Sequence, residues 1–278
     1  MTSLTRMLAI LDLFDEGASV WTAEAIALRL GYSIPTGYRY VRELHEAGLL
    51  RRDAGGTYVL GPRIVELDHR IRVGDPLLIA GQRVMRVLAD QTGCDVVLGT
   101  IYGERVITIH QEHGLEGISA TYGRGRRMPL YRGMLSKAIL AALPRAQLRR
   151  LVDRSQDEAR ETPFAQDWNT LLDALMTIRK AGYSISHGEL DVGLVGIAAP
   201  LSVPVRRLTA AIGLVITRAH FATLDEKHLA GRLASAATEI IAALPQPAQP
   251  LRQSQDLPSA RSVPRNAKTP AYRERPVS

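Results

Sequence analysis

The chain has 278 residues, a formal net charge of +7, 46% apolar residues and only 5% aromatic ones. That length accommodates two domains, and the apolar share suffices for cores built mainly from Leu, Ile, Val and Ala. A single cysteine, Cys94, excludes an intrachain disulfide framework and points to a reducing, cytoplasmic setting; no charged-then-apolar leader opens the sequence, and no apolar run reaches the ~18–20 residues of a membrane span.

The charge is unevenly spread. Residues 1–75 hold 9 Lys and Arg against 10 Asp and Glu, whereas residues 246–278 hold 6 against 2. Overall basicity therefore says little about nucleic acid. The local group Arg39, Arg42, Arg51 and Arg52 says more, because phosphates are neutralised locally.

In chain order, Leu4–Phe14 has the apolar periodicity of a helix. Thr22 caps a second helix, TAEAIALRLG, which Gly31 ends, and Gly31-Tyr32-Ser33 forms the turn to a third. Ser33 is a good N-cap there, and Pro35 suits the first helical turn. Ile34, Gly37, Val41 and Leu44 make one apolar stripe. Thr36, Arg39, Arg42 and Glu43 make the opposite face, Tyr38 and Tyr40 flank it, and Gly48 closes the helix. This is helix-turn-helix geometry with a recognition helix of groove-fitting width. Arg51–Leu60 then reads as a β-hairpin around Asp53-Ala54-Gly55-Gly56. Residues 1–61 are thus expected to form a winged helix-turn-helix. A helical domain serving protein contacts is the alternative, disfavoured because cap, stripe, basic face and basic wing fall in the expected order.

Pro62–Val73 carries a partial stripe of Ile64, Leu67 and Ile71 and reads as a linking helix, so residues 62–74 are assigned to a linker. Its apolar residues suit a second copy of the chain or the following domain.

Residues 75–245 read as an α+β domain, an antiparallel sheet with helices packed on it. Asp75 caps a helix that Gly93 ends. The runs CDVVLGTIYG and RVITIHQEHG form two strands joined at Gly103-Glu104, and a third strand is expected near Gly117–Tyr122. Short helices follow over Arg132–Leu143 and Pro144–Val152, then a longer one over Asp167–Ala181. Three strands over Tyr183–His187, Val195–Leu201 and Leu208–Thr217 precede a closing helix, Leu224–Leu244. Residues 246–278 are proline-rich, basic and nearly free of large apolar side chains, and are expected to be disordered.

Little supports an enzyme. His110 and His113 have HxxH spacing, but on a strand they face opposite ways. His187, Glu189 and Asp191 alternate and suit a metal or effector, or else are polar loop residues, the favoured reading. Ser136 and Lys137 are helix neighbours that do not face each other. Gly123-Arg124-Gly125-Arg126-Arg127 lacks the Lys-Ser/Thr ending of a phosphate loop and is read as a flexible loop bordering a ligand site. Cys94 reads as a small buried hydrophobe. No catalytic residue, metal or cofactor is assigned. An enzyme with an N-terminal partner-recruiting module remains the alternative function.

Four segments carry a resemblance. TAEAIALRLGYSIPTGYRYVRELHEAGLLRRDAGGTYVLGPRIVEL, RRMPLYRGMLSKAILAALP, AGYSISHGELDVGLVGIAAPL and LTAAIGLVI occur in the order found in IclR-family transcriptional regulators, which the chain resembles over about residues 4–244. The resemblance implies a GAF-like effector-binding domain, a small organic acid as effector, and a homodimer or tetramer on double-stranded operator DNA. For DNA contact it implies Ser33, Thr36, Tyr38, Arg39, Arg42 and the wing residue Arg52. For the effector it implies Met128, Met134, Leu135, Ser186, Gly196, Gly213 and Val215, with Arg132 either a carboxylate partner or, favoured, a solvent-facing side chain. Family members that take small oxo-acids have Cys in the segment of Gly196, small hydroxyl residues at Gly213 and Val215, and an acidic residue near Ser186. The departures here imply a roomier, more apolar pocket and a bulkier effector, such as an aromatic or other hydrophobic acid.

Overall fold

The computed structural model describes residues 2–245 except 16, 116, 117, 119–122 and 207. The disorder expected for residues 246–278 therefore lies outside the described residues.

Helix α1 (Ser3–Leu8) is capped by the Thr2 hydroxyl, which accepts the Thr5 N–H. It does not run on to Phe14 as expected but tightens into a 3₁₀ turn over Ala9–Leu13. Residues three apart eclipse in that winding, and Ile10 and Leu13 both meet the N-terminal core. Helix α2 (Ala23–Leu30) starts at Thr22, whose Oγ1 accepts the Ala25 N–H at 3.1 Å, and ends at Gly31 in the left-handed region. Helix α3 (Ile34–Glu46) follows with Pro35 in its first turn. Gly37 lets α2 and α3 touch: a Cβ there would lie 2.7 Å from Ala27 Cβ and 3.2 Å from the Ala23 carbonyl oxygen. Tyr40 is buried rather than flanking the exposed face, because its hydroxyl bonds Ser3 Oγ at 2.8 Å and its ring meets Tyr32 edge-on. Ile34, expected in the apolar stripe, stays half exposed.

The wing pairs β1 (Leu50–Arg52) with β2 (Tyr58–Leu60), antiparallel, around Gly55 and Gly56, both at positive φ. Two backbone hydrogen bonds between Trp21 and Tyr58 tie it to the segment before α2. Helix α4 (Pro62–Gly74) buries no residue, and Val65, Ile71 and Val73 are more than half exposed.

A six-stranded antiparallel sheet organises the rest, in the order β5-β4-β3-β8-β7-β6. The strands are β3 (Asp95–Tyr102), β4 (Arg105–Glu112), β5 (Arg127–Met128), β6 (Ser184–His187), β7 (Leu194–Val203) and β8 (Leu208–Thr217). Alternate residues face opposite layers. Val96, Leu98, Ile197 and Leu214 pack under α5 (Pro76–Thr92) and α10 (Glu226–Ala243). Val97, Ala198, Ala211 and Val215 pack under α6 (Met134–Ala142), α7 (Arg145–Arg154) and α9 (Trp168–Ala181). Asp75 caps α5 and Gly93 ends it, as the sequence indicates, and Asp167 and Gly182 do the same for α9.

The strand expected near Gly117–Tyr122 falls almost wholly outside the described residues, and Ile118 belongs to no strand. Arg127–Met128 instead pairs with Val106 and Ile107. A short helix α8 (Gln156–Arg160), not anticipated, precedes the Thr162 turn.

The contact at Gly37 makes a specific prediction. Gly37→Val inserts a branched side chain against the α2 backbone, and overpacking of this kind costs about 1–3 kcal/mol. Thermal denaturation should show the N-terminal part melting earlier; unchanged melting would contradict the packing described.

Candidate functional site

Two surfaces hold the residues singled out by sequence. The first is the open side of α3. Tyr38, Arg39, Arg42 and the wing's Arg52 are exposed, and Thr36 is half-buried. Packing of Gly37, Tyr40, Val41 and Leu44 into the N-terminal core turns that side outward. Ser33 has extended backbone at the cap, but its hydroxyl donates to Thr36 Oγ1 at 2.9 Å and accepts no N–H of the first turn. Arg39 lies over the Tyr40 ring at 5.3 Å, which stiffens it. Arg42 is 68% exposed and lies 3.7 Å from Glu46 and 4.0 Å from Glu43, exposed pairs of little energetic consequence. Tyr38 donates its hydroxyl hydrogen to the Glu24 carboxylate on α2. That bond pushes the Tyr38 phenol above its usual range and holds the Glu24 carboxyl below its own. Nothing in the linear pattern singles out Glu24, since the contact joins two helices.

The second surface is the sheet face under α6. Residue pairing sets Ser186 opposite Gly196, Gly196 opposite Val215, and Ala198 opposite Gly213. Met134, the first residue of α6 and fully buried, lies over this patch. A Cβ at position 196 would overlap Met134 Sδ, and one at 213 would stand 3.1 Å from Met134 Cε. The structure thus brings together Met134, Ser186, Gly196, Gly213 and Val215. Leu135 packs further along, 3.1 Å from where a Cβ of Gly99 would be, and Met128 on β5 belongs to the same core. The room expected from the two glycines is occupied by the chain's own methionine.

Thr108, which sequence reasoning missed, pairs with Gly99 and so shares the α6 face. It is fully buried, and its Oγ1 has no hydrogen-bond partner among the described residues. Nothing in a lone strand threonine distinguishes it in sequence.

Charged groups fix the start of α6. Glu189 accepts the Gly133 N–H through Oε2 at 2.9 Å and the Lys137 ammonium through Oε1. Lys137 also lies over the Phe164 ring at 4.9 Å. Arg132 is exposed, the solvent-facing alternative, and donates to the Glu189 carbonyl at 2.8 Å. Ser136 donates to the Pro129 carbonyl, so it and Lys137 serve separate partners. His110 bonds Glu112, whereas His113 bonds the buried Asp95. Cys94 is 2% exposed.

The Gly123–Arg127 segment reaches the linker helix and runs on into Met128. Arg124 donates through Nε and Nη2 to Asp68 Oδ1, at 3.0 and 2.7 Å, and through Nη1 to the Ile109 carbonyl. Arg72 first, and then Arg124, hold the Asp68 carboxyl below the ordinary aspartate range. Beside this contact a cleft of about 1050 Å³ is walled by Leu67, Ile71, Pro76, Tyr102, Ile107 and Ile109.

Two family models match the chain: the IclR helix-turn-helix domain over residues 3–54, and the bacterial transcriptional regulator IclR C-terminal domain over residues 74–242. The HTH-type transcriptional regulator KipR of Bacillus subtilis is 28% identical over 240 residues, 86% of this chain and 95% of that protein. The Pca regulon regulatory protein of Pseudomonas putida is 28% identical over 77% of this chain and 74% of its own length. Among solved structures, an IclR-family transcriptional regulator from Brucella abortus superposes with a TM-score of 0.75 at 23% identity, covering 88% of this chain and 93% of its own. An IclR homologue from Microbacterium hydrocarbonoxydans, crystallised with 4-hydroxybenzoate, gives a TM-score of 0.70 at 21% identity over 87% of this chain and 99% of its own. Among the described residues no helix is long and apolar enough to cross a membrane.

The Lys137–Glu189 pair predicts an asymmetry. The Lys137 side chain is 11% exposed and that of Glu189 29%. Glu189→Ala strands a mostly buried ammonium and frees the Gly133 N–H, a loss of about 3 kcal/mol for breaking such a pair from one side. Lys137→Met keeps the aliphatic stem and leaves Glu189 its backbone donor and access to water, so it should cost less than half as much. Urea denaturation of the two variants measures the difference; equal losses would show the pair carries no such asymmetry.

Proposed function

We propose, for a chain that belongs to the IclR family of bacterial DNA-binding transcriptional regulators, that residues 1–61 read operator DNA and residues 75–245 sense a small organic acid. Residues 62–74 link the two. Relatives named as transcriptional regulators give the enzyme alternative no support. The observation that carries the reading is the two-sided α3: one side is locked into the N-terminal core while Tyr38, Arg39 and Arg42 project outward beside the wing's Arg52. A helix so placed fits the major groove, with its N-terminal residues nearest the bases. In this role Ser33, Thr36 and Tyr38 bond phosphates or base edges, and the three arginines pair with phosphates or guanine.

One such unit covers one half-site. A homodimer, or a tetramer of two dimers, on a two-fold operator follows from matching protein to DNA symmetry. Such a protein works in the cytoplasm, where its operator is.

For the effector we favour a hydrophobic acid, an aromatic one in particular. Met128, Met134, Leu135 and Val215 offer apolar walls, while Ser186 offers a hydroxyl beside Gly196. The neighbour crystallised with 4-hydroxybenzoate supports that class. The effector changes operator affinity only by as much as it prefers one arrangement of the two parts over the other.

The test is Arg39→Ala combined with Arg42→Ala, against an operator selected from random duplex DNA by the parent chain. With each lost contact worth about 1–3 kcal/mol, affinity should fall roughly 10²-fold or more. Melting should be unchanged, since both side chains are exposed. Specific retardation at parental affinity would refute the assignment of α3.

A further inference from the structure

The sheet floor under α6 has bare backbone at Gly196 and Gly213; one flexible side chain takes the space above Gly196 and reaches over Gly213, where the Ile197 carbonyl oxygen and Ala198 Cβ also lie close, at 3.0 and 3.2 Å. A Cβ at 196 would collide with Met134 Sδ, and one at 213 would press on Met134 Cε at 3.1 Å. Neither glycine adopts a positive φ, so both are there for space and not for conformation. The surrounding backbone is fixed. Ser184 Oγ donates to the Met134 carbonyl at 2.6 Å, and Glu189 accepts the preceding Gly133 N–H at 2.9 Å. What can move is the methionine side chain, unbranched, with three rotatable bonds. When it swings away it uncovers a slot floored by two glycines, with Ser186 Oγ only 3.3 Å from the point above Gly196.

We infer that Met134 is a removable plug: the effector enters by taking the place of its thioether over Gly196 and Gly213, and the side chain at 134 sets how tightly and how large an acid is accepted. The inference rests on the reading that the effector site lies under α6. Its ligand is a carboxylic acid with a flat or slender apolar body, able to follow the track of an unbranched side chain. Closure by the plug acts as a population penalty, because apparent affinity falls by the fraction of molecules already open. Removing the plug abolishes the penalty, and replacing it with a rigid ring makes the closure permanent.

The experiment titrates the full chain calorimetrically with phenol, an uncharged probe of the slot, and with 4-hydroxybenzoate. Met134→Ala should bind phenol about tenfold more tightly than the parent, the gain for an open form near a tenth of the parent population. Met134→Phe should bind neither probe. Should Met134→Ala melt too low to titrate, Met134→Val, which removes the sulfur and terminal methyl, carries the same comparison. Equal phenol affinity in parent, small-residue variant and Met134→Phe overturns the plug, as does a small-residue variant that takes up no phenol. Operator release by acids, measured alongside, separates the two ideas. Uptake of phenol through the emptied slot with operator affinity indifferent to every acid tested would support the plug and remove the effector role of the site. Operator release that persists with identical affinities in all variants does the reverse.

Discussion

The seating of one methionine on two bare stretches of backbone governs the C-terminal half of this protein. Protein interiors tolerate few voids, and each methyl-sized gap is felt in stability. With no side chain at Gly196 or Gly213, α6 must either lie closer to the sheet or send something down to it. Met134 does the latter, and it does so from a helix start fixed independently by the Ser184 hydroxyl and the Glu189 carboxylate. The filler and its mounting are therefore separable: the side chain can change rotamer while the helix stays where it is.

From that mounting a continuous set of contacts leads to the DNA-reading end. Met128 follows directly from the Gly123–Arg127 segment, whose Arg124 holds Asp68 on α4 through two hydrogen bonds. The start of α4 is in turn bonded to the turn after α3: the Gly61 N–H meets the Leu49 carbonyl at 2.8 Å, and the Arg63 N–H meets the Gly48 carbonyl at 3.1 Å. Arg124 has only 17% of its side chain exposed, so its bond to Asp68 is less screened than the pairs scattered over the surface. Any free energy an effector delivers to α3 within one chain has this joint available to it. Contact continuity is the physical requirement for such coupling, and the coupling itself is a difference in affinity between two arrangements.

Much of this architecture is written locally. Thr22, Asp75 and Asp167 announce helix starts because a short oxygen-bearing side chain reaches the free N–H groups of the first turn. Gly31, Gly93 and Gly182 announce ends because left-handed backbone is easy for glycine. The wing, the strand pairs and the exposed side of α3 follow from periodicity. What escaped was long-range or very short. The two-residue strand Arg127–Met128 is too brief for any periodicity. Tyr40 turned inward because Ser3, 37 residues away, offers its hydroxyl a partner. Lys137 and Glu189, like Asp68 and Arg124, meet across more than 50 residues of chain. The effector positions were legible only through resemblance, and even there the glycines suggested an open space that Met134 fills.

A filled slot changes what selects the ligand. In an empty apolar pocket each Å² of ligand surface removed from water contributes about 25 cal/mol, and bulk alone wins affinity. Where a ligand must first displace an apolar group of similar girth, the burial it gains is largely offset by the burial the methionine loses. The net preference then falls on the polar part of the ligand, because Ser186 Oγ lies 3.3 Å from the point above Gly196 that the thioether occupies. Buried polar groups left unpaired are costly, and a site that presents them discriminates most strongly against ligands lacking the matching group. Apolar walls with one hydroxyl beside the glycine floor thus favour a ligand whose polar group meets Ser186 over a plain hydrocarbon of equal size.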